Sequence, residues 1–137
     1  MNELNDLYNY ADVKNVRIDN FRLDGCESLS LCDGDLCFIA IDPLLNCTSA
    51  EEKVILAHEL GHCITGSFYN RYSVVDDRKR SERRADIFAY NLLINRDELK
   101  KQLKSGVQTV WELADYFNVT EPFMNKAVEY YQNIGVV

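Results

Sequence analysis

The chain has 137 residues, a net charge of −7 and a pI of about 4.8. Length fits one ordinary domain, and 47% hydrophobic with 27% charged residues allow a normal core and a polar surface. Acidity of this size opposes direct contact with phosphate backbones, so nucleic acid is set aside as a partner and a protein partner is preferred.

Five cysteines, Cys26, Cys32, Cys37, Cys47 and Cys63, form no C-x-x-C pair, and their number is odd. The first residues, MNELNDLYNYADV, hold no basic stretch followed by an apolar run, and no segment approaches the roughly 20 apolar residues of a membrane span. The reading is a cytoplasmic protein with reduced thiols rather than a disulfide framework. A Cys32–Cys37 bridge across a hairpin is the alternative. Cys63, next to His62, reads as a small buried core residue, with a redox or metal-inhibitory thiol as the alternative.

Leu4, Leu7, Tyr8 and Ala11 recur as on one face of a short helix. Asn15 to Leu23 alternates as a strand. Ser28 to Cys32 and Leu36 to Ile41 pair as a hairpin, with Asp33-Gly34 as a turn whose two residues tolerate positive φ. Pro43 ends the second strand. From Thr48 onward helices dominate. Thr48 or Ser49 caps the first, which runs to about Thr65 and stops at Gly66. A second runs from Asp76 or Asp77 to Ile94, and a third opens with Asn95 and Glu98 and ends at Gly106. The last two open at Thr109 and at Thr120, with Pro122 in the first turn of the latter. The fold class is α+β: a small N-terminal sheet or hairpin packed on a helical remainder. We expect one domain over 1–137, with a core at 1–105 and a helical hairpin at 106–137 packed on it.

His58-Glu59-Leu60-Gly61-His62 is an H-E-x-x-H on one of these helices. Residues four apart stand above one another, so both imidazoles can reach one ion at about 2.0–2.1 Å. Glu59 lies beside that ion, where a base acts on the water that attacks a substrate. Gly61 costs about 1 kcal/mol in a helix interior, and its missing side chain admits another backbone or a substrate. Val54, Ile55, Leu56, Ala57, Leu60 and Ile64 cover most of the helix circumference, so polar groups there need partners. His58 and His62 are the only histidines, so the third ligand is something else. Glu82, Asp86, Ala89 and Leu93 form one stripe of the next long helix, and Glu82 is the ligand candidate. Asp86, one turn on, can accept the free ring N–H of a ligand histidine. The alternatives are a solvated glutamate at 82 and an Asp86 ion pair to Arg83 or Lys79.

ILAHELGHCITGSFYN followed by ERRADIFAYNLLI resembles the ImmA/IrrE family of metallo-endopeptidases. The resemblance extends in order over most of the chain, and the E-x-x-A-[DN]-x-F-A helix makes it more specific than H-E-x-x-H alone. It implies a gluzincin-like, zincin-type fold with His58, His62 and Glu82 as metal ligands and Glu59 as catalytic glutamate. It implies a peptidase encoded on phages or integrative elements that cleaves a neighbouring helix-turn-helix repressor. Ile94-Asn95 stands where the family often has a proline, which affects a helix boundary.

The expected reaction is peptide hydrolysis with zinc, manganese being the second choice for a His₂Glu set. No histidine is left to stabilise the oxyanion. Tyr69, Arg71, Tyr72 and Tyr90 are the candidates for that role or for substrate contact. The strand Leu36 to Ile41 offers an edge for an extended peptide, unless both its edges are paired internally. The segment TVWELADYFNVTEPFMNKAVEYY has a helix-turn-helix outline, but its second helix opens with Glu121-Pro122-Phe123 and carries one Lys126, poor equipment for a DNA groove. Packing on the core or docking a protein is the reading. A metal-bound module that binds a partner without cutting it is the rival to the peptidase.

Overall fold

A computed structural model of the chain describes residues 3–23, 27–42, 48–68 and 75–137. The order is α1 (Leu4–Val13), β1 (Val16–Asn20), β2 (Ser28–Asp33), β3 (Leu36–Ile41), α2 (Ser49–Thr65), α3 (Val75–Leu93), α4 (Arg96–Lys104), α5 (Val110–Phe117) and α6 (Glu121–Asn133). This is the expected α+β class. Cys26, Cys47, Pro43 and the candidates Tyr69, Arg71 and Tyr72 lie outside the described residues.

The strand order is β1-β3-β2, with β1 parallel and β2 antiparallel to β3. β3 is therefore internal, which corrects the idea that Leu36 to Ile41 offers a free edge. Among the described residues the unpaired edge on the helical-site side belongs to β2. The hairpin turn also differs from expectation. Asp33 pairs with Leu36 inside the ladder, and only Gly34 takes positive φ, at +62°. The central pair is thus Gly34-Asp35, the pattern of a type II′ turn, in which glycine comes first.

Period-two alternation sorts the sheet. Cys37, Ile39 and Ile41 are buried toward the helices, whereas Leu29, Leu31 and Leu36 are exposed on the opposite face. The core joins α1, the sheet and all the helices through Leu7, Ile39, Leu56, Leu60, Leu93, Leu99, Phe117, Met124 and Tyr131.

Helix α2 starts as its sequence dictates. Thr48 Oγ1 accepts the Glu51 N–H at 3.2 Å, and Gly66 closes the helix at φ +66°. In α4, Asn95 Oδ1 accepts from the N–H groups of Asp97 and Glu98. Two buried polar contacts tie the C-terminal helices to the rest. Lys53 on α2 donates from Nζ to the Phe117 carbonyl at 2.7 Å. Tyr131 on α6 donates to the carbonyls of Tyr90 and Ile94 at the end of α3. The Phe117 and Ile94 carbonyls stand at helix ends, where a partner from outside the helix is needed, and the Tyr90 carbonyl accepts from the Ile94 N–H as well. Among the described residues, no helix is long and apolar enough to cross a membrane.

Candidate metal centre

Helices α2 and α3 lie against each other, and their contact sets the site. A Cβ built at Gly61 would fall 2.7 Å from the Ala85 carbonyl oxygen and 2.8 Å from Ala85 Cα. Only glycine permits that approach, so α3 comes close enough for Glu82 to reach the two histidines of α2. The Glu82 carboxylate oxygens lie 2.8 Å from His58 Nε2 and 3.3 Å from His62 Nε2. The ligand atoms of His58, His62 and Glu82 all fall within 4.8 Å of one another, a group that can hold a metal ion. The two rings meet edge to face, with centroids 4.9 Å apart.

The far side of each ring is held. His58 Nδ1 lies 2.9 Å from Asp86 Oδ1, so Asp86 faces the histidine rather than forming the alternative pair with Arg83 or Lys79. Burial by itself would lower the His58 pKa. The Asp86 hydrogen bond and the charges of Asp86, Glu82 and Glu59 outweigh it, and the pKa is raised. His62 Nδ1 contacts the Ser67 carbonyl oxygen. A carbonyl only accepts, so His62 Nδ1 carries a proton there and Nε2 is the ring nitrogen turned toward Glu82. A metal ion held by this group would take both His62 Nε2 and the Glu82 carboxylate oxygen, which lie 3.3 Å apart. The donor set thus fits a metal such as zinc: two imidazole nitrogens and a carboxylate, with each histidine orientated from behind.

Around His62 the structure adds hydroxyl groups that sequence reasoning missed. Ser81 Oγ donates to the Ser67 carbonyl at 2.7 Å and lies 3.3 Å from His62 Nδ1. Thr65 Oγ1 donates to the Gly61 carbonyl at 2.6 Å and lies 2.6 Å from Ser67 Oγ. These contacts hold the α2 C-terminus and the start of α3 on one side of the imidazole. Ser81 stands next to Glu82, but nothing in the sequence marks it for His62, 19 residues away.

Glu59 is buried, with 8% of its surface exposed. Its Oε1 accepts a hydrogen bond from Ser28 Oγ at 3.0 Å. Ser28 opens β2, and no sequence signal pointed to it across 31 positions. Ser28, Leu29, Ser30, Glu59, His62 and Phe68 line a cavity of about 180 Å³ beside the histidines. Tyr90 stands on the other side, packed against Phe123 and Tyr130. With Arg83, Asp86 and Lys126 it lines a polar cavity of about 240 Å³. Burial first, then the Asp86 charge, pushes its hydroxyl pKa up to about 12.

The cysteines differ from expectation. Cys63, one residue after His62, is bonded to Cys37 on β3, and Cys32 is a free, exposed thiol. The Cys32–Cys37 alternative does not form, and Cys63 is not a simple packing residue. The linked pair is 26 residues apart, across elements whose proximity is decided by the fold.

A sheet packed on an H-E-x-x-H helix, with a carboxylate brought in from the following helix, defines a zincin-like α+β domain. The chain belongs to the peptidase M78 family: its model, described as the IrrE N-terminal-like domain, matches residues 38–129, about two-thirds of the length. No curated protein and no solved structure matches significantly.

Proposed function

We propose that the protein is a zinc-dependent endopeptidase acting on a regulatory protein in the cytoplasm, a helix-turn-helix repressor encoded by a phage or mobile element. The observation that carries the reading is the convergence of His58, His62 and Glu82 on one point, with Glu59 lining the adjoining cavity. His58, His62 and Glu82 would hold the zinc, which when bound would supply Lewis-acid chemistry. The Glu59 carboxylate takes a proton from the attacking water and delivers it to the leaving amine. Ser28 fixes the carboxylate's orientation by occupying Oε1. Asp86 and the Ser67 carbonyl hold the two rings in the tautomer that turns Nε2 toward the site. An extended substrate lies along the edge of β2, where main-chain groups of the strand are available for pairing. Tyr90 and the tyrosines at 69 and 72 with Arg71 remain our candidates for substrate or oxyanion contact.

The test is to incubate zinc-loaded protein with helix-turn-helix repressors from its genetic neighbourhood and to map new N-termini by mass spectrometry. Glu59→Gln and a chelated sample run alongside. A single new terminus, absent from both controls, establishes the activity and its substrate. Intact repressors that bind the folded, metal-loaded protein tightly would favour a binding module that does not cut.

A further inference from the structure

Three cysteines meet where the sheet rests on the H-E-x-x-H helix. Cys37 on β3 is bonded to Cys63 on α2. Cys32 on β2 is the residue directly opposite Cys37 in the antiparallel register. Opposed residues point to the same face with Cβ atoms about 4.5–5.5 Å apart. Directly opposed antiparallel residues have Cα atoms about 4.5–5.5 Å apart, within the roughly 4.4–6.8 Å that disulfides span, so a bond between these two needs only a small approach of the side chains. The facing is supported independently: Ser28, four residues before Cys32 and hence on the same side of β2, touches Glu59 of α2. Cys32 Sγ contacts the Gly34 carbonyl at 3.3 Å, in its own turn.

Access differs sharply between the sulfurs. Cys37 is 7% exposed, whereas Cys32 is open to solvent. Cys63 is half-buried and packed against the core, so Cys32 is the most open of the three sulfurs and the one a bulky reductant meets first.

We propose that Cys32, Cys37 and Cys63 form a thiol–disulfide exchange site that takes dithiol reductants through Cys32. In the first step the Cys32 thiolate attacks Cys37 Sγ. The Cys32–Cys37 bond forms, the Cys37–Cys63 bond breaks, and Cys63 leaves as a thiolate that takes a proton from water. No electrons are exchanged with the surroundings. In the second step a thiolate of an external dithiol attacks the exposed Cys32 Sγ, and Cys37 leaves as a thiol. The second thiol of the reductant then displaces Cys32. Two electrons have passed from the dithiol, now a disulfide, to the pair Cys37 and Cys63. The covalent tie between β3 and α2, next to His62, is thereby removed without opening the core to the reductant. The site does not depend on peptide cleavage.

The full chain, purified without reductant, is treated with reduced thioredoxin as a bulky dithiol probe, quenched in acid and alkylated. Digestion before aspartates cuts at Asp35 and puts Cys32 and Cys37 on separate peptides. A transient Cys32–Cys37 linkage is expected, followed by free Cys63. In Cys32→Ser, which keeps the Cys37–Cys63 bond and its circular dichroism, release of Cys63 should be at least about tenfold slower, as loss of the attacking thiolate requires. Equal release rates in the two proteins would overturn the proposal. So would a purified protein in which Cys37 and Cys63 are not linked.

Discussion

Gly61 of α2 lies against the backbone of Ala85 of α3, so closely that a Cβ would sit 2.7 Å from the Ala85 carbonyl oxygen. The obstacle is main chain, not a side chain that can turn away. Gly61→Ala should push the helices apart at the point that aims Glu82 at His58 and His62. Overpacking of this kind costs about 1–3 kcal/mol. The better helix propensity of alanine offsets about 1 kcal/mol of that. We expect a lower denaturation midpoint and a larger proportional loss of zinc affinity, measured by competition with a chromophoric chelator. Unchanged affinity would mean that the contact does not set the site.

Asp86 holds His58 through Nδ1, and such partners are worth about 10–100-fold in metal affinity. Asp86→Ala should reduce zinc binding by that order while the fold persists. The sign with pH follows from the raised His58 pKa. Protons compete with the metal from a higher pH than at an ordinary imidazole, so affinity falls as pH drops through that value. Removal of Asp86 should move this falling limb to lower pH, as titrated zinc binding would show.

Ser28 is placed to orientate Glu59 rather than to hold metal. Ser28→Ala should leave zinc content unchanged and lower kcat for a cleaved substrate by about tenfold, one charge-assisted hydrogen bond being worth about 1.5–3 kcal/mol. KM should change less than kcat, and Ser28→Thr should restore part of the loss. A fall in metal content with kcat would reassign Ser28 to the support of the centre.

Above pH 10 the fold should weaken. Burial pushes the hydroxyls of Tyr90 and Tyr131 up to about 12 from 10.0. Between those values the unfolded chain has released these protons and the folded chain still holds them. Stability from this source is complete below pH 10 and is lost as pH rises toward 12, by up to about 1.4 kcal/mol per pH unit for each group. Tyr131→Phe should shrink the alkaline loss by about half, and cost about 1–2 kcal/mol at neutral pH through its hydrogen bonds to the Tyr90 and Ile94 carbonyls. Urea unfolding at pH 8 and pH 11 measures both effects.

The Cys37–Cys63 bond closes a loop across a separation of 26 residues. Chain-entropy arguments give such a link about 3–4 kcal/mol. The Cys37→Ala, Cys63→Ala double variant should therefore melt roughly 10 °C lower than the oxidised protein. Addition of reductant should lower the wild-type melting temperature toward that of the variant and leave the variant unmoved.

Local chemistry was legible in the sequence because it operates over one or two helical turns. Thr48 and Gly66 bound α2, Asn95 opens α4, and the spacing of His58 and His62 requires one face whatever surrounds it. The period-four stripe of Glu82 and Asp86 likewise singled out the two carboxylates that reach the histidines. Even the turn at Gly34 was locatable, though its register was not, because Asp33 and Asp35 are equally plausible neighbours and only pairing along β3 chooses between them.

Contacts between distant segments were not legible. Ser28 meets Glu59, Ser67 and Ser81 meet His62, and Cys63 takes Cys37 rather than leaving it to Cys32 across the hairpin. A serine or a cysteine has the same local signature whether it faces solvent or a partner 30 residues away. The parallel pairing of β1 placed β3 inside the sheet, and with it decided which strand lies beside Glu59. The sequence by itself determined the helix boundaries and singled out the three side chains that converge as a candidate metal-binding group. The tertiary structure decided what orientates that group, because those partners are chosen by the packing of α2 against the sheet and α3.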